Sequence, residues 1–350
     1  MTQRHNPPSL FFQGSVVKRW TIRIALTVAA LLVFAIAFGS GDEAWQRHQT
    51  RKNFPPPGEL VDIGGRRIQL YCVGTGSPTV VFESGLDISG SLSWAAVQAP
   101  VAKTTRTCSY SRAGIMWSDP DEGAWNTRSV ADDLRSALAT TGEHAPFVMV
   151  GQSLGGPYIM TYTKYYGDQV AGMVFVDASH PDQVQRLKSV MPPTDATLAK
   201  LGASLAWTGA VRALAPTLVQ QAPNQSVQDV RSIVAYAPVS LPAMLRENDA
   251  LDATLAEAGT FRRLGQRPLY VLTATAPFSK AALQSMKITA AQGEQVRRIW
   301  KQLQDDEATW SSNSRHEYVD SDHDIQFEHP DVVIRAVLSV VDTVRASAHD

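Results

Sequence analysis

One serine in this chain stands in a sequence context that activates hydroxyl nucleophiles. The apolar run at residues 147–150 has the length and composition of a strand buried on both faces. It leads into Gly-Gln-Ser-Leu-Gly at 151–155, and a segment with proline in its first turn follows, which is typical of a helix start. Because the flanking glycines lack Cβ, a sharp turn can lift the hydroxyl of Ser153 above the sheet edge.

This pattern predicts that Ser153 attacks an acyl carbonyl, with the positive end of a helix dipole close to the negative charge that forms. The alternative is an ordinary Gly/Ser turn, because a motif this short also arises by chance. The strand before the motif and the helix after it favour the nucleophile.

The elements around the motif predict a mainly parallel α/β domain. Residues 59–73 read as a hairpin around Gly64-Gly65. Further strands are predicted at 78–83, 105–110, 172–176, 268–273 and 316–319, and helices at 126–141, 154–166, 290–303 and 330–346. Strands that alternate with helices indicate a parallel sheet covered on both faces.

A different pattern occupies residues 181–264. This stretch is rich in Ala, Leu and Pro and shows no convincing strand. It predicts a helical insertion. Its apolar residues, Trp207 among them, favour a substrate with a hydrophobic acyl or alcohol group, although a helical lid also packs apolar residues simply to fold.

An apolar segment near the N-terminus indicates a membrane helix or a signal peptide. Residues 20–38 follow Lys18 and Arg19, and as a helix they span about 28 Å, close to the hydrocarbon thickness of a bilayer. A cleaved signal would use 24–38 as its core, with Ala-Ile-Ala at 35–37 as the cleavage site. We favour the uncleaved anchor, because the leader before the apolar run is long.

Both interpretations export the rest of the chain, because the basic residues of the leader stay on the cytoplasmic side. The expected protein is a single-pass membrane protein with an extracytoplasmic catalytic domain, secreted if the leader is cleaved. Residues 1–43 form the cytoplasmic N-terminus and anchor, and 44–58 a proline-rich linker expected to be a stiff, extended spacer. The catalytic domain covers 59–350.

Composition narrows the possible partners. The 350 residues carry 32 Lys+Arg against 33 Asp+Glu, a formal net charge of −1, so no overall field favours nucleic acid. We see no basic tract, no zinc-type spacing of Cys and His and no phosphate-binding glycine loop, and we therefore expect no metal and no cofactor. The two cysteines, Cys72 and Cys108, either pair in an oxidising compartment or are two small buried residues.

With these elements in order, residues 59–346 resemble the α/β-hydrolase superfamily, in particular single-domain hydrolases with a helical cap after the strand that follows the nucleophile helix. The motifs that carry the resemblance are Glu83-Ser84-Gly85-Leu86, Tyr110-Ser111-Arg112-Ala113-Gly114, Gly151-Gln152-Ser153-Leu154-Gly155, Asp177-Ala178-Ser179-His180-Pro181 and Asp322-His323-Asp324. The chain departs from many relatives at Gln152, where they have His, and at Ser111, where they have Asp.

The resemblance implies an eight-stranded, mostly parallel sheet flanked by helices, with the cap at about 181–264. It also makes the second and fourth strands neighbours, which favours a Cys72–Cys108 disulfide. It implies an oxyanion hole formed by the backbone amides of Leu86 and Leu154.

The resemblance further implies that His323, in the loop after the last strand, is the general base. His180 is the competing histidine. Many relatives place the triad acid after the strand at 268–273, where this chain has no carboxylate. In other members of the superfamily the triad acid follows the preceding strand, which here makes Asp177 the expected acid. Asp182 is the alternative.

These residues predict a serine hydrolase that cleaves small-molecule carboxylic esters through an acyl-enzyme. A peptidase or amidase on the same triad is an alternative, since acyl transfer to water uses the same groups. A catalytically silent binding module with this fold is the alternative from another class. Halide or epoxide opening by a carboxylate nucleophile is disfavoured, because position 153 is Ser.

Overall fold

One eight-stranded sheet organises the part of the molecule that follows the N-terminal helix. The computed structural model describes residues 13–123, 125–193 and 196–348, with side chains from residue 18 onward. The strands of this region are β1 Glu59–Asp62, β2 Arg67–Val73, β3 Thr79–Glu83, β4 Thr107–Ser111, β5 Phe147–Gln152, β6 Val170–Val176, β7 Leu269–Ala274 and β8 Ser314–Val319. Their order in the sheet is β1-β2-β4-β3-β5-β6-β7-β8.

Two antiparallel pairings stand at one edge, β1 with β2 and β2 with β4, and the remaining pairings are parallel. The sheet is therefore the mostly parallel, eight-stranded one that the resemblance implies. The central strands are buried on both faces, which explains why their sequences are unbroken apolar runs.

Helices cover both faces of the sheet and form the cap. Within the described residues they are α1 Gln13–Asn53, α2 Ala95–Val101, α3 Thr127–Thr140, α4 Gly155–Tyr166, α5 Gln183–Leu187, α6 Thr197–Ser204, α7 Ala210–Leu218, α8 Val227–Asp249, α9 Leu251–Gly259, α10 Lys280–Met286, α11 Ala290–Glu307, α12 Ile325–Glu328 and α13 Pro330–Ser347. Helices α5 to α9 lie between β6 and β7, as predicted for the cap, and no described residue between those two strands is in a strand.

The core has one layer on each side of the sheet. On one side, Leu134 of α3 and Ile159 of α4 pack on sheet residues such as Met149. On the other side, Val97 of α2 and Val337 of α13 pack on the neighbouring residues of the same strands. Successive strand residues face opposite layers, so both layers draw on every central strand.

The segment at 44–58 differs from the expected extended spacer. Helix α1 continues to Asn53, so only residues 54–58 lie outside regular helix before β1 begins. The reason is local: residues 44–53 contain neither Gly nor Pro, and the first proline after the apolar run is Pro55. The carbonyl of Phe54 accepts hydrogen bonds from Trp117 Nε1 at 2.9 Å and from the Tyr236 hydroxyl at 3.2 Å. This segment is therefore packed onto the catalytic domain.

The two cysteines lie opposite each other on the antiparallel pair β2 and β4, and a disulfide joins them. Their Cα atoms are 4.1 Å apart and 36 residues separate them in sequence. Adjacent strands thus bring together the two sulfurs that the resemblance pairs.

Candidate active site

The turn around Ser153 has the backbone strain expected of a nucleophile elbow. Ser153 has φ of 50°, in the left-handed region that non-glycine residues rarely adopt. A Cβ at Gly151 would lie 2.6 Å from the Gly155 backbone, and one at Gly155 would lie 2.4 Å from the Glu83 carbonyl oxygen. Only glycine fits these two positions, which explains the spacing of the motif.

Backbone hydrogen bonds hold this strained turn at the carboxyl end of β5. The amide of Ser153 donates to the Val176 carbonyl at 3.2 Å, and its own carbonyl accepts from Ser179 at 2.8 Å and Gly156 at 3.0 Å. The ends of β5 and β6 therefore fix the position of Ser153 together, as a preorganised nucleophile requires.

Asp177 and His323 are in direct contact. Asp177 follows β6 and is buried, and its Oδ2 lies 2.6 Å from Nδ1 of His323. Its Oδ1 accepts from the Ala274 amide at 2.9 Å and from Trp300 Nε1 at 2.8 Å. Both carboxylate oxygens are thus occupied, and one of them orients the imidazole.

The charge of Asp177 controls the basicity of His323. Burial alone lowers the pKa of the imidazole, but the hydrogen bond and the negative charge of Asp177 outweigh it and raise the pKa of His323 above its usual 6.5. Asp324 raises this pKa further, and Arg297 opposes the rise. The imidazole is therefore a stronger base than an isolated histidine.

Ser153 and His323 line the same cavity, which has a volume of about 330 Å³. Among the described residues no hydrogen bond joins their side chains. Because Nδ1 of His323 faces Asp177, Nε2 is the ring nitrogen left to take a proton.

The cavity wall is of mixed polarity. The loop residues Asp87 and Asp324 line it together with Gln152, and the cap contributes Val219, Gln220, Ala222, Gln225 and Ile233. Trp207 of the cap is outside this lining and is 53% exposed. It therefore does not supply the apolar substrate contact for which the sequence suggested it.

The two amides expected to bind an oxyanion belong to a residue of the cavity lining and to the residue after Ser153. Leu86 lines the cavity, and Leu154 is the N-cap residue of α4. Within the described part of the chain, neither backbone N–H donates a hydrogen bond. Neither donor is therefore engaged within the described protein, as the expected role requires.

A buried ion cluster supports the loop that carries Leu86. The guanidinium of Arg112 donates to the carbonyls of Ser84 at 2.7 Å and Gly85 at 2.6 Å. It also pairs with Glu83 and with Glu247 of α8, both at 2.7 Å. Burial raises the pKa of Glu83 to about 7, and the charge of Arg112 opposes that rise. One side chain thus links the sheet, the candidate oxyanion loop and the cap.

The two positions that depart from many relatives have structural roles. The Gln152 carboxamide donates to the His323 carbonyl at 3.3 Å and lies 3.5 Å from Asp324 Oδ1. It therefore connects the nucleophile turn to the histidine loop. The Ser111 hydroxyl donates to Gln69 at 2.8 Å and accepts from the Ser91 amide at 3.2 Å.

The competing residues are placed elsewhere. His180 is buried, with Nε2 3.0 Å from Asp306 and Nδ1 accepting from the Asp182 amide at 3.0 Å. Asp182 forms a double ion pair with Arg262 at 2.6 and 2.8 Å. Neither lines the cavity that contains Ser153.

Two contributors to the site had no signal in the sequence. Trp300 of α11 donates a hydrogen bond to Asp177, and Glu247 of the cap accepts one from Arg112. They are 123 and 135 residues away from their partners, so neither spacing nor a local motif indicates them.

One grouping of possible metal ligands occurs in the part of the chain that the structure describes, and it consists of Cys72, Cys108 and Glu143. The two sulfurs form the disulfide, so they offer no thiolate to a metal.

Comparisons with known proteins agree with this architecture. A 145-residue stretch is 31% identical to Probable transporter efuK of Hormonema carpetanum, covering 39% of this chain and 20% of that protein. The chain thus spans about one fifth of the length of this relative. Among solved structures, a thermophilic esterase from Thermogutta terrifontis has a TM-score of 0.54 at 17% identity, covering 81% of this chain and 97% of the other. An enol-lactonase from Burkholderia xenovorans has a TM-score of 0.58 at 16% identity, covering 81% and 100%.

At such identities the structural neighbours show the fold. The model of the Alpha/beta hydrolase family matches residues 76–336, most of the chain and all of the candidate site. The chain belongs to the alpha/beta hydrolase family.

Proposed function

We propose that this protein is a serine hydrolase that cleaves carboxylic esters of small molecules through Ser153, His323 and Asp177. The observation that carries the proposal is the Asp177–His323 contact of 2.6 Å beside a cavity that both His323 and Ser153 line. A carboxylate, an imidazole and a hydroxyl in this order are the elements of acyl transfer by a serine nucleophile.

In the proposed first half-reaction, Nε2 of His323 takes the proton of Ser153 while Oγ bonds to the acyl carbon. The carbonyl oxygen becomes negative and accepts hydrogen bonds from the amides of Leu86 and Leu154. Collapse of this intermediate breaks the bond to the alcohol oxygen, and His323 donates its proton to the departing alcohol. The acyl group remains on Ser153.

In the second half-reaction, His323 takes a proton from water as that water attacks the acyl-enzyme. The acid leaves, and the proton returns to Ser153. Asp177 stabilises the imidazolium in both halves. The imidazole has to approach the hydroxyl for this chemistry, and catalytic hydrogen bonds commonly tighten only when substrate is bound.

The site favours a serine nucleophile over direct carboxylate attack. The strained elbow position holds Ser153, and the nearby carboxylate of Asp177 already has both oxygens engaged. The cavity of about 330 Å³ accommodates a small-molecule ester rather than a folded protein. Its mixed lining suits a substrate with a polar and an apolar portion.

Helix α1 provides the proposed attachment to a membrane. It is long and apolar enough to cross a bilayer, and its side chains from Trp20 to Phe38 are exposed to the surroundings. The same apolar helix also fits a signal peptide. We favour the uncleaved anchor, with the catalytic domain outside the cytoplasm because Lys18 and Arg19 directly precede the apolar run.

Covalent labelling tests the proposed nucleophile. The wild-type protein is expected to react with a fluorophosphonate probe, because an activated serine displaces fluoride from phosphorus. The label should disappear in Ser153→Ala and persist in Ser179→Ala, a matched serine three residues beyond β6. Labelling of folded Ser153→Ala would show that Ser153 is not the nucleophile. A folded but unreactive wild type would favour a silent binding module. A panel of esters and matched amides then separates esterase from amidase.

A further inference from the structure

The cap carries an unusual amount of exposed apolar surface. Leu198, Leu201 and Leu205 recur at spacings of three and four residues on and just after α6, so they share one side of that helix. Trp207 follows in the 3₁₀ turn Ala206–Thr208. Leu198 is 82% exposed and Trp207 53%. We call these four residues the cap apolar face.

The cap apolar face lies beside the place where α1 would leave the membrane. The apolar run of α1 ends at Phe38, and the next residue, Gly39, packs directly on the turn that follows Trp207. A Cβ at Gly39 would lie 2.3 Å from the Thr208 carbonyl oxygen, so the two backbones touch. The hydrophobic end of α1 and Trp207 are therefore at nearly the same level.

An ion pair with a buried carboxylate fixes this arrangement about one turn farther along α1. Glu43 is 1% exposed and pairs with Arg212 of α7, with Nε 2.7 Å from Oε2. The same guanidinium donates to the Ala235 carbonyl of α8 at 3.0 Å. The partly buried guanidinium of Arg212 thus connects α1, α7 and α8, which ties the cap to the helix.

The charges of this part of the cap suit a lipid surface. Residues 196–228 contain no Asp or Glu, and the two basic residues of this stretch are paired with carboxylates outside it, Lys200 with Asp249 at 2.6 Å and Arg212 with Glu43 at 2.7 Å. The headgroup region favours such a surface, because Trp prefers the interface, Leu side chains enter the acyl boundary and the stretch has no acidic residue of its own for anionic lipids to repel. A surface of this composition in water would expose several large hydrophobic residues without compensation.

We propose that the cap apolar face docks on the lipid surface of the bilayer that holds α1. The inference rests on the membrane attachment stated under the proposed function. A groove of about 490 Å³ runs between α1 and the helices α7 and α8, and Val219 lines both this groove and the cavity of Ser153. Val219 therefore joins the catalytic cavity to the groove beside α1.

Spin labels on the full-length protein in lipid nanodiscs test the docking. The natural cysteines form a disulfide, so a single introduced cysteine takes the nitroxide. Trp207→Cys and Leu201→Cys report on the cap apolar face. Leu31→Cys marks the span, and Arg298→Cys marks an exposed site on α11, 66% exposed in its side chain.

Relaxation by oxygen, which concentrates in lipid, is compared with relaxation by a water-soluble nickel chelate. We expect positions 201 and 207 to prefer oxygen as position 31 does, and position 298 to prefer nickel. Nickel access at 201 and 207 with oxygen access at 31 would overturn the docking and leave the anchor intact. Nickel access at position 31 as well would show that α1 does not span the membrane. Labels at 201 and 207 shielded from both reagents would mean a protein partner and also overturn the docking.

Discussion

The hydrogen bond between His323 and Asp177 sets the pH range in which the proposed chemistry can run. Only the neutral imidazole accepts the serine proton, so activity falls as His323 becomes protonated. Since Asp177 raises the pKa of His323 above its usual 6.5 in spite of burial, the acidic limb of kcat/KM should have its midpoint above 6.5.

Replacing Asp177 by asparagine removes the negative charge that raises the pKa of His323. We expect Asp177→Asn to move the acidic limb to lower pH, because burial, which lowers the pKa of His323, is then less opposed. The change should also reduce kcat by on the order of 10⁴-fold, the loss measured for the equivalent change in a serine protease triad.

Asp182→Asn is the matched control, because Asp182 pairs with Arg262 and not with His323. Its pH profile of kcat/KM should keep the wild-type midpoint. An unchanged acidic limb in Asp177→Asn, measured on folded protein, would show that another group orients the base.

Individual site residues differed in how far sequence alone indicated them. Ser153 was indicated by its own motif, because the strained turn requires glycine on both sides. Asp177 followed from the resemblance and from the absence of a carboxylate after β7. Trp300 and Glu247 were not indicated, because their roles depend on side chains more than a hundred residues away that only the fold brings close.

At the scale of elements, Arg112 links β3 and β4 to α8. The candidate oxyanion loop depends on this link. The guanidinium of Arg112 and the carboxylates of Glu83 and Glu247 are buried, so each charge interacts with its partners in place of water. Removing one partner leaves an incompletely paired charge inside the protein. The same removal loosens the cap against the loop that carries Leu86.

We expect Glu247→Ala to lower the free energy of unfolding by about 3–5 kcal/mol, the usual cost of breaking a buried ion pair. Urea unfolding of the two proteins in the same lipid or detergent measures the difference. Glu294→Ala is the control, since Glu294 is 76% exposed in its side chain and 4.0 Å from Arg298, and it should change stability by less than about 0.5 kcal/mol. A loss below about 1 kcal/mol for Glu247→Ala would mean that Glu83 alone stabilises Arg112.

Element type was predictable from periodicity, whereas element ends and short helices were not. The strand expected at 172–176 begins two residues earlier, at Val170. Helices α2 and α10 were not predicted, because each has only seven residues and shows too few turns for a helical pattern. At 44–53 the polar composition suggested a linker, but the stretch contains no Gly or Pro to end the helix, and the contacts of Glu43 and Phe54 hold it on the domain.

In the molecule as a whole, helix α1 joins two segments, the apolar run and the stretch at 44–53, that the sequence suggested were separate elements. Its first part is exposed and apolar, as a membrane span requires, and its last part packs on the cap. The catalytic domain is therefore held at a defined place relative to the proposed membrane surface, and not at the end of a flexible tether.

The disulfide provides a test of which side of the membrane the domain occupies. Cys72 and Cys108 pair only where the compartment is oxidising, so an exported domain should carry the bond and a cytoplasmic one should carry two thiols. In cells quenched with acid and then denatured, the wild-type protein should gain mass from a maleimide polymer only after reduction. Cys72→Ser is the control, because its single remaining thiol should be labelled without reduction.

The same variant should lose about 3–4 kcal/mol of stability on the chain-entropy model, because the bond closes a loop between residues 36 apart. Urea unfolding of purified Cys72→Ser beside the oxidised wild type measures that loss. Labelling of the wild type without reduction would place the domain in the cytoplasm. The proposed orientation would then be wrong, although the chemistry proposed for Ser153 would not depend on it.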